Sequence, residues 1–269
     1  MISITFFTAL ALYLVAAFYN CLAFIRHQES MFRASLVFSI AGICFHTVNI
    51  TITGIERGIF PLTDRQEAML FLAWALALAF IFIGSRYRYR VIALGVFLLP
   101  LVLVLMLSSL LFQETPVQDI LRSRLFYFHT TFLFLSYAAF VAGTVFAALY
   151  LLQERELKSK NLRLFYRRLP SLDMLDHLFS NSMLSGLVLM TFGLAAGIYW
   201  AHREWAGEWI SDPKVISAIV TWMIYLALAL IRALTGWRGK RMALITLAGF
   251  LSLLLTFWIA TLLGSRHIF

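Results

Sequence analysis

Residues 125–152 read LFYFHTTFLFLSYAAFVAGTVFAALYLL, a run of 28 positions without aspartate, glutamate, lysine or arginine. About 20 apolar residues in a helix are enough to cross the hydrocarbon core of a bilayer, so this run is predicted to be a membrane-spanning helix. The rest of the chain agrees, because 62% of its 269 residues are hydrophobic, 13% are charged and the mean hydropathy is +0.87. That composition excludes a soluble globular domain and indicates an integral membrane protein.

Apolar runs of similar length recur along the whole chain and predict an all-α bundle of eight transmembrane helices. The predicted spans are about 2–25, 34–53, 68–84, 91–112, 125–152, 179–201, 215–235 and 242–263. No connecting segment exceeds about 26 residues, so 1–269 is predicted to be a single membrane domain. Within the longest segment, Ser171 and the apolar spacing after it predict a short interfacial helix before the sixth span. The amino-acid sequence shows no convincing internal repeat.

Basic residues predict the orientation of these spans. The connections after helices one, three, five and seven hold 15 Lys or Arg residues, against seven in the other connections and the C-terminal tail. Positive residues favour the inner side, so both termini are predicted to lie outside. The net charge of +9 is then mostly a property of inner loops that contact anionic lipid, and nucleic-acid binding is not expected.

Sequence motifs for common chemistry are absent. The chain contains no CxxC or CxxCH, no P-loop, no GxSxG and no HExxH. Covalent haem attachment, a thioredoxin-like redox site and the corresponding hydrolase or nucleotide sites are therefore not predicted. The chain is not expected to be an enzyme by itself.

Histidines are the strongest candidates for a functional site. His27 and His177 fall on the predicted inner side and are expected to be ordinary surface residues. The other four fall in the outer half of the predicted bundle: His46, His129, His202 and His267.

His46 lies inside the second span, about eight residues or roughly 12 Å from its outer end. An imidazole in hydrocarbon needs a partner. A hydrogen bond to a neighbouring backbone or to the Thr47 hydroxyl would supply one, and so would a haem iron. The outer histidines as a group fit paired axial ligands of haem, ligands for zinc or copper, or residues of the membrane interface.

Residues 205–214, WAGEWISDPK, connect the sixth and seventh spans. Tryptophans near lipid headgroups are most often membrane anchors, and this interpretation applies to Trp200, Trp205 and Trp209. It does not account for the acidic and prolyl residues. Asp212 before Pro213 favours an extended or turn conformation that lets Pro213 open the seventh helix.

Together these stretches resemble the cytochrome c assembly family, the CcsA, CcmC and HemX type of haem-handling membrane protein. WAGEWISDPK, TWMIY and RALTGWRGK resemble the family's tryptophan-rich signature and the R-x-x-x-G-W-x-G that follows it. GIFPLTDRQEAMLFLAW, the HTTFLFLSY stretch and the last helix, which ends in SRHIF, resemble three further family blocks. The order of the blocks and the eight-helix layout both agree with the family.

The resemblance implies a role for several residues. His129 and His267 would ligate the iron of a non-covalently bound haem b at the outer face, and His46 would be an intramembrane haem ligand. The platform over which haem lies would comprise Trp205, Trp209, Asp212, Pro213 and Lys214. Arg203 and Lys214 are the expected partners of the haem propionates. The chain departs from the family pattern at Ser211 and Val215, and at Leu230, where a second intramembrane histidine is expected.

The implied function is to hold, transport or present haem in cytochrome c assembly, in a bacterial cytoplasmic (inner) membrane. The chain would then be a candidate subunit of a cytochrome c haem lyase, with apocytochrome c and a ResB-type subunit as partners. The short chain with a degenerate signature looks closest to the HemX branch. That branch implies regulation of glutamyl-tRNA reductase abundance through a soluble haem-biosynthesis enzyme. A small-solute transporter independent of haem is a third hypothesis, and it predicts internal repeats and broken helices.

Overall fold

The computed structural model describes residues 4–112, 123–159, 169–204 and 208–262, and only the backbone at 208–209, 256–257 and 259–262. These residues form α-helices with two short 3-10 helices, at Arg88–Val91 and Glu208–Ser211, and no strand occurs within these ranges. The α-helices are α1 (Ile4–Arg26), α2 (Glu29–Arg57), α3 (Arg65–Tyr87), α4 (Ile92–Ser109), α5 (Arg124–Lys158), α6 (Leu172–Glu204), α7 (Pro213–Thr235) and α8 (Lys240–Leu262).

Six segments of the described chain are long and apolar enough to cross a membrane. Five are α1, α2, α5, α6 and α7, and the sixth is the continuous stretch Arg65–Ser109, which contains both α3 and α4. The protein is therefore a multi-pass, all-helical membrane protein. The count of eight spans and the outer position of both termini remain predictions.

α6 differs from the sequence prediction at its start. Ser171 does cap it, because its hydroxyl accepts the N–H of Met174 at 3.3 Å. However, the helix then runs without interruption from Leu172 to Glu204. The prediction of a separate interfacial helix before the sixth span is wrong, since apolar residues on one face of 172–179 continue into the buried face of the same helix.

The connection from α2 to α3 is held by a buried polar cluster. Arg57 donates to Asp64 Oδ2 at 2.8 Å and also to Glu67 Oε1. Asp64 caps α3 by accepting the N–H of Glu67 at 2.9 Å. The Glu67 carboxylate accepts the N–H and hydroxyl of Thr63, at 2.6 and 2.9 Å.

A second polar cluster accounts for the R-x-x-x-G-W-x-G stretch. Gly236 ends α7 with a φ of 67°, in the left-handed region that favours glycine. Arg232 Nη2 donates to Asp176 Oδ2 at 2.7 Å, and the N–H of Gly239 donates to Asp176 Oδ1 at 2.6 Å. This stretch therefore ties the α7–α8 corner to the beginning of α6.

The described helices group into two compact units, one with α1–α4 and the other with α5–α8. In the first unit α1 and α3 each pack against α2 and α4. In the second, α5 and α7 each pack against α6 and α8, and α6 also contacts α8. The single membrane domain predicted for 1–269 stays a prediction.

The two units are repeats of one arrangement. α3 and α7 are both 23 residues long, and their first residues are 148 positions apart. The first residues of α4 and α8 are also 148 positions apart. Asp64 and Asp212 cap α3 and α7, and Trp74 and Trp222 each lie ten positions after these caps. The repeat was not found in the sequence because most corresponding positions share apolar character rather than identity.

Both tryptophans make the same contact. Trp74 Nε1 donates to the Thr47 hydroxyl at 2.9 Å, and Trp222 Nε1 donates to the Thr191 hydroxyl at 2.8 Å. Each threonine hydroxyl also donates to the carbonyl four residues earlier in its own helix. The contact joins α3 to α2 in one unit and α7 to α6 in the other.

Candidate functional site

His129 lies near the start of α5, with its ring against α6. Its Nδ1 is 2.7 Å from the carbonyl oxygen of Gly193. Because a carbonyl oxygen only accepts hydrogen bonds, Nδ1 carries a proton, and in the neutral ring Nε2 then carries the lone pair. Metal-binding histidines commonly use one ring nitrogen in this way, which fixes the tautomer and the ring orientation for the other.

Two glycines of α6 let α5 approach closely here, and Gly197 is the one that makes room for this ring. A side-chain carbon at Gly197 would overlap the His129 imidazole, and one at Gly193 would lie 2.9 Å from Leu133 Cδ2. The two glycines are four residues apart and therefore share one face of the helix. Such small-xxx-small spacing lets membrane helices approach closely, so the imidazole lies directly on the α6 backbone.

Trp200, three residues after Gly197 on α6, packs against Phe126, three residues before His129 on α5. Trp200 is 2% exposed, and its ring centroid is 5.2 Å from that of Phe126. Trp200 is therefore a core residue, and the interpretation as a membrane anchor is wrong for it. Since α6 ends at Glu204, Gly197 lies about 10 Å from the end of the helix. Residues 205–214, here called the tryptophan-rich loop, follow that end in the sequence.

Asp212 ends that loop and starts α7. Its side chain is buried, and Oδ1 accepts the N–H groups of Lys214 at 2.8 Å and Val215 at 3.4 Å. Pro213 occupies the first turn of the helix, where its missing N–H costs nothing. The predicted opening of α7 at Pro213 is confirmed, and Asp212 acts as its N-cap.

The structure gives no side-chain position for three of the predicted haem-contacting residues. Trp205 and His267 fall outside the described residues, as does the side chain of Trp209. Their roles stay predictions.

Two cations flank the loop. Arg203 is exposed near the end of α6, with its guanidinium carbon 5.9 Å from the centroid of the Tyr199 ring. Lys214 is half-buried in the first turn of α7. Cations at both ends of one loop suit contact with carboxylates such as haem propionates.

His46 is fully buried in α2, and within the described part of the chain neither ring nitrogen has a hydrogen-bond partner. The Tyr13 ring packs against it edge-on, with centroids 6.0 Å apart. The bond expected from Thr47 is absent because that hydroxyl donates to the Ile43 carbonyl at 2.7 Å. The hydrogen-bonded alternative for His46 is therefore not supported within the described ranges.

The depth of His46 also differs from the prediction. α2 continues to Arg57, so His46 lies about 16 Å from the end of the helix, rather than the predicted 12 Å. His46 belongs to the α1–α4 unit, whereas His129 belongs to the α5–α8 unit.

Two other positions considered in the sequence, Leu230 and His202, are exposed. Leu230, where the resemblance expects a second intramembrane histidine, is 49% exposed on α7. His202 is exposed near the end of α6. The described ranges contain no group of three or more His, Cys, Asp or Glu residues that could hold a metal ion.

A family model described as "Cytochrome C assembly protein" matches residues 62–267. The chain belongs to the cytochrome c assembly protein family. The match includes His129, His267 and the tryptophan-rich loop, but it begins after His46. For this cytochrome c assembly protein, the resemblance seen in the sequence is therefore confirmed at the level of the family.

Similar curated proteins carry the description "Cytochrome c biogenesis protein CcsA". The protein of Parasynechococcus marenigrum (strain WH8102) is 26% identical over 234 residues, which cover 78% of this chain and 77% of that protein. The protein of Prochlorococcus marinus (strain MIT 9303) is 27% identical over 247 residues, or 81% and 78% of the two chains. That of Chlorella vulgaris is 27% identical over 256 residues, or 83% and 81%. These relatives lend no support to the HemX branch.

The described residues of this cytochrome c assembly protein fit haem in two respects. The Nδ1 contact of His129 leaves Nε2 as the ring nitrogen for a metal. The ring nitrogens of His46 are buried and have no protein partner within the described ranges. Sequence reasoning missed Gly193 and Gly197. Their G-x-x-x-G spacing in an apolar span could have identified them as a site of close helix contact.

Proposed function

We propose that this protein binds haem b non-covalently at the outer face of the membrane and presents it to an apocytochrome c. The role is in keeping with the description of its CcsA relatives. His129 and His267 would ligate the haem iron, and Trp205 and Trp209 would pack against the haem. Haem brings to the site the vinyl groups to which cysteine thiols add.

The hydrogen bond from His129 Nδ1 to the Gly193 carbonyl carries this proposal. It holds the imidazole in the tautomer that ligates through Nε2, at a helix end that leads into the tryptophan-rich loop. Asp212 and Pro213 shape the far end of the loop by starting α7. Arg203 and Lys214 would hold the propionates through charge-assisted hydrogen bonds.

His46 is a second proposed haem ligand, within the membrane. Its support is chemical, since an imidazole buried without a partner is costly in hydrocarbon unless it serves a function. Leu230 stands where the resemblance expects a second intramembrane histidine, so the resemblance supplies no second ligand to pair with His46.

The chain contributes placement rather than a nucleophile. It acts with haem, membrane lipid and an apocytochrome c, and a ResB-type subunit completes the synthase. Nucleic acid has no part in the function.

The proposed topology has eight spans in a bacterial inner membrane, with both termini outside. Alkaline phosphatase, which is active only when exported, tests it in fusions made after Phe112 and after Ser159. We expect activity from the first fusion and none from the second. The reverse pattern would invert the orientation and move the His129 site to the inner face.

Absorption spectra of the purified protein test haem binding. The wild-type protein, isolated from cells with ample haem, should show a sharp low-spin spectrum with two histidine ligands. His129→Ala and His267→Ala should each lose it, while His202→Ala, an exposed change near the end of α6, should keep it. An unchanged spectrum in the His129→Ala, His267→Ala double variant would refute the assignment.

The transporter hypothesis predicts internal repeats, and a four-helix repeat is present. It also predicts broken helices, but Pro100 lies inside α4, which continues from Ile92 to Ser109. Membership of the cytochrome c assembly family favours haem handling, so no transport function is proposed.

A further inference from the structure

The repeat allows α2 and α6 to be compared position by position. Thr191 lies 144 positions after Thr47, and both accept the indole N–H of a tryptophan. Gly186 likewise lies 144 positions after Gly42, and each of these glycines faces an aromatic ring of the preceding helix. α2 and α6 therefore share one register, and the α1–α2 pair is an internal comparison for the α5–α6 pair.

The register shows where the two pairs differ. The counterparts of Gly193 and Gly197 in α2 are Asn49 and Thr53. Asn49 donates to the Thr5 hydroxyl of α1 at 3.3 Å, and the Thr53 hydroxyl donates to the Asn49 carbonyl at 3.0 Å. Side chains thus fill in α2 the positions that α6 leaves bare.

The imidazole of His129 occupies the space that Gly197 provides. Its Nδ1 reaches the Gly193 carbonyl at 2.7 Å, and its ring lies where a side chain of residue 197 would begin. Alanine at position 197 cannot coexist with this ring position. The ring would have to turn or move away from α6, and the hydrogen bond would be lost.

We propose that Gly193 and Gly197 are positioning residues of the haem site. The Gly193 carbonyl fixes the tautomer and plane of the His129 imidazole, and the absent side chain at Gly197 lets the ring reach that carbonyl. This inference rests on the proposed function, since it assumes that His129 ligates haem.

Gly197→Ala tests the inference, with Gly186→Ala as the matched control. Gly186 is on the same helix, and a side-chain carbon there meets the Phe140 ring at 2.6 Å from Cδ1, so the control strains the same helix pair without touching His129. Haem affinity should fall about 10- to 100-fold in Gly197→Ala, the range found when the group that orients a ligating histidine is removed. It should stay near the wild-type value in Gly186→Ala.

Free imidazole provides a second readout. In Gly197→Ala, millimolar imidazole should restore the low-spin spectrum, because it replaces a misplaced ligand. A loss of affinity shared equally by both alanine variants, or an unaltered spectrum and affinity in Gly197→Ala, would overturn the inference. An unchanged spectrum in His129→Ala would instead refute the proposed function itself.

A folding failure of Gly197→Ala is also informative. The double variant Gly197→Ala with His129→Ala removes the ring that the new methyl group would overlap. Accumulation of the double variant but not the single one would support the inference. Failure of both would overturn it, because Gly197 would then be required for helix packing alone.

Discussion

Arg232 at the end of α7 donates to Asp176 near the start of α6, with Nη2 and Oδ2 2.7 Å apart. Both side chains are largely buried, at 16% and 8% exposure. Asp176 is 21 residues before Gly197 on the same helix, or about 30 Å away along its axis. The ion pair therefore supports the fold at a distance from the His129 site.

Asp176→Ala should lower the free energy of unfolding by about 3 kcal/mol, because it leaves the Arg232 guanidinium buried without its carboxylate. Thermal unfolding of the detergent-purified protein measures this loss. Asp176→Asn, which can still accept the Gly239 N–H, should lose less. The haem spectrum of either folded variant should match the wild type, and a lost haem band in a protein of normal stability would contradict the structural role.

Asp212→Ala should lower the free energy of unfolding by about 1 kcal/mol, because it removes the N-cap of α7. It should also weaken haem binding, because the tryptophan-rich loop would be held less firmly at its end. Asp212→Asn should restore both properties, since asparagine caps helices as well as aspartate does. Haem titration and thermal unfolding of the two variants provide the measurement. If asparagine behaves like alanine, the charge rather than the cap is what matters.

His46→Leu should raise the free energy of unfolding of haem-free protein by about 1 kcal/mol, because it removes two buried nitrogens that have no partner among the described residues. The same variant should mature less cytochrome c in cells, as seen by haem staining of membranes. Met190→Leu, at the corresponding position of α6, is the control and should change neither property greatly. A destabilised His46→Leu protein would show that the imidazole makes a bond after all.

Trp74→Phe and Trp222→Phe should each lower the free energy of unfolding by about 1 kcal/mol, since each removes an indole hydrogen bond to a threonine on the neighbouring helix. Trp258 is 69% exposed on α8, so Trp258→Phe should leave unfolding unchanged. Unfolding curves of the three variants compare the contacts directly. A difference of several kcal/mol between the first two variants would contradict the equivalence of the repeats.

The sequence predicted those features of the fold that depend on one residue type acting within its own segment. Apolar length predicted the helices, and the Asp212–Pro213 pair predicted the start of α7. Contacts between helices were not predictable in the same way. Thr47 was a plausible partner for His46, but its hydroxyl turns to its own backbone, as serine and threonine often do in membrane helices.

The repeat was hidden for a related reason. In a bilayer any large apolar residue can face lipid, so corresponding positions drift in identity while the helices keep their lengths. The few residues with a directional task, such as Asp64 and Asp212 or Trp74 and Trp222, keep the register. Trp200 shows the opposite error, since tryptophan is common at membrane interfaces but is buried against Phe126 here.

Glycine and alanine codons differ by a single nucleotide, and alanine is an ordinary residue in an apolar helix. A mutation of that size at Gly197 would leave hydropathy, helix number and His129 intact while removing the place where the imidazole rests. In a genome survey, relatives that keep the histidine but carry a larger residue at this position would look complete by every compositional measure. We expect such relatives to have lost the outer haem, so this one position would divide the family into haem-holding and haem-free members.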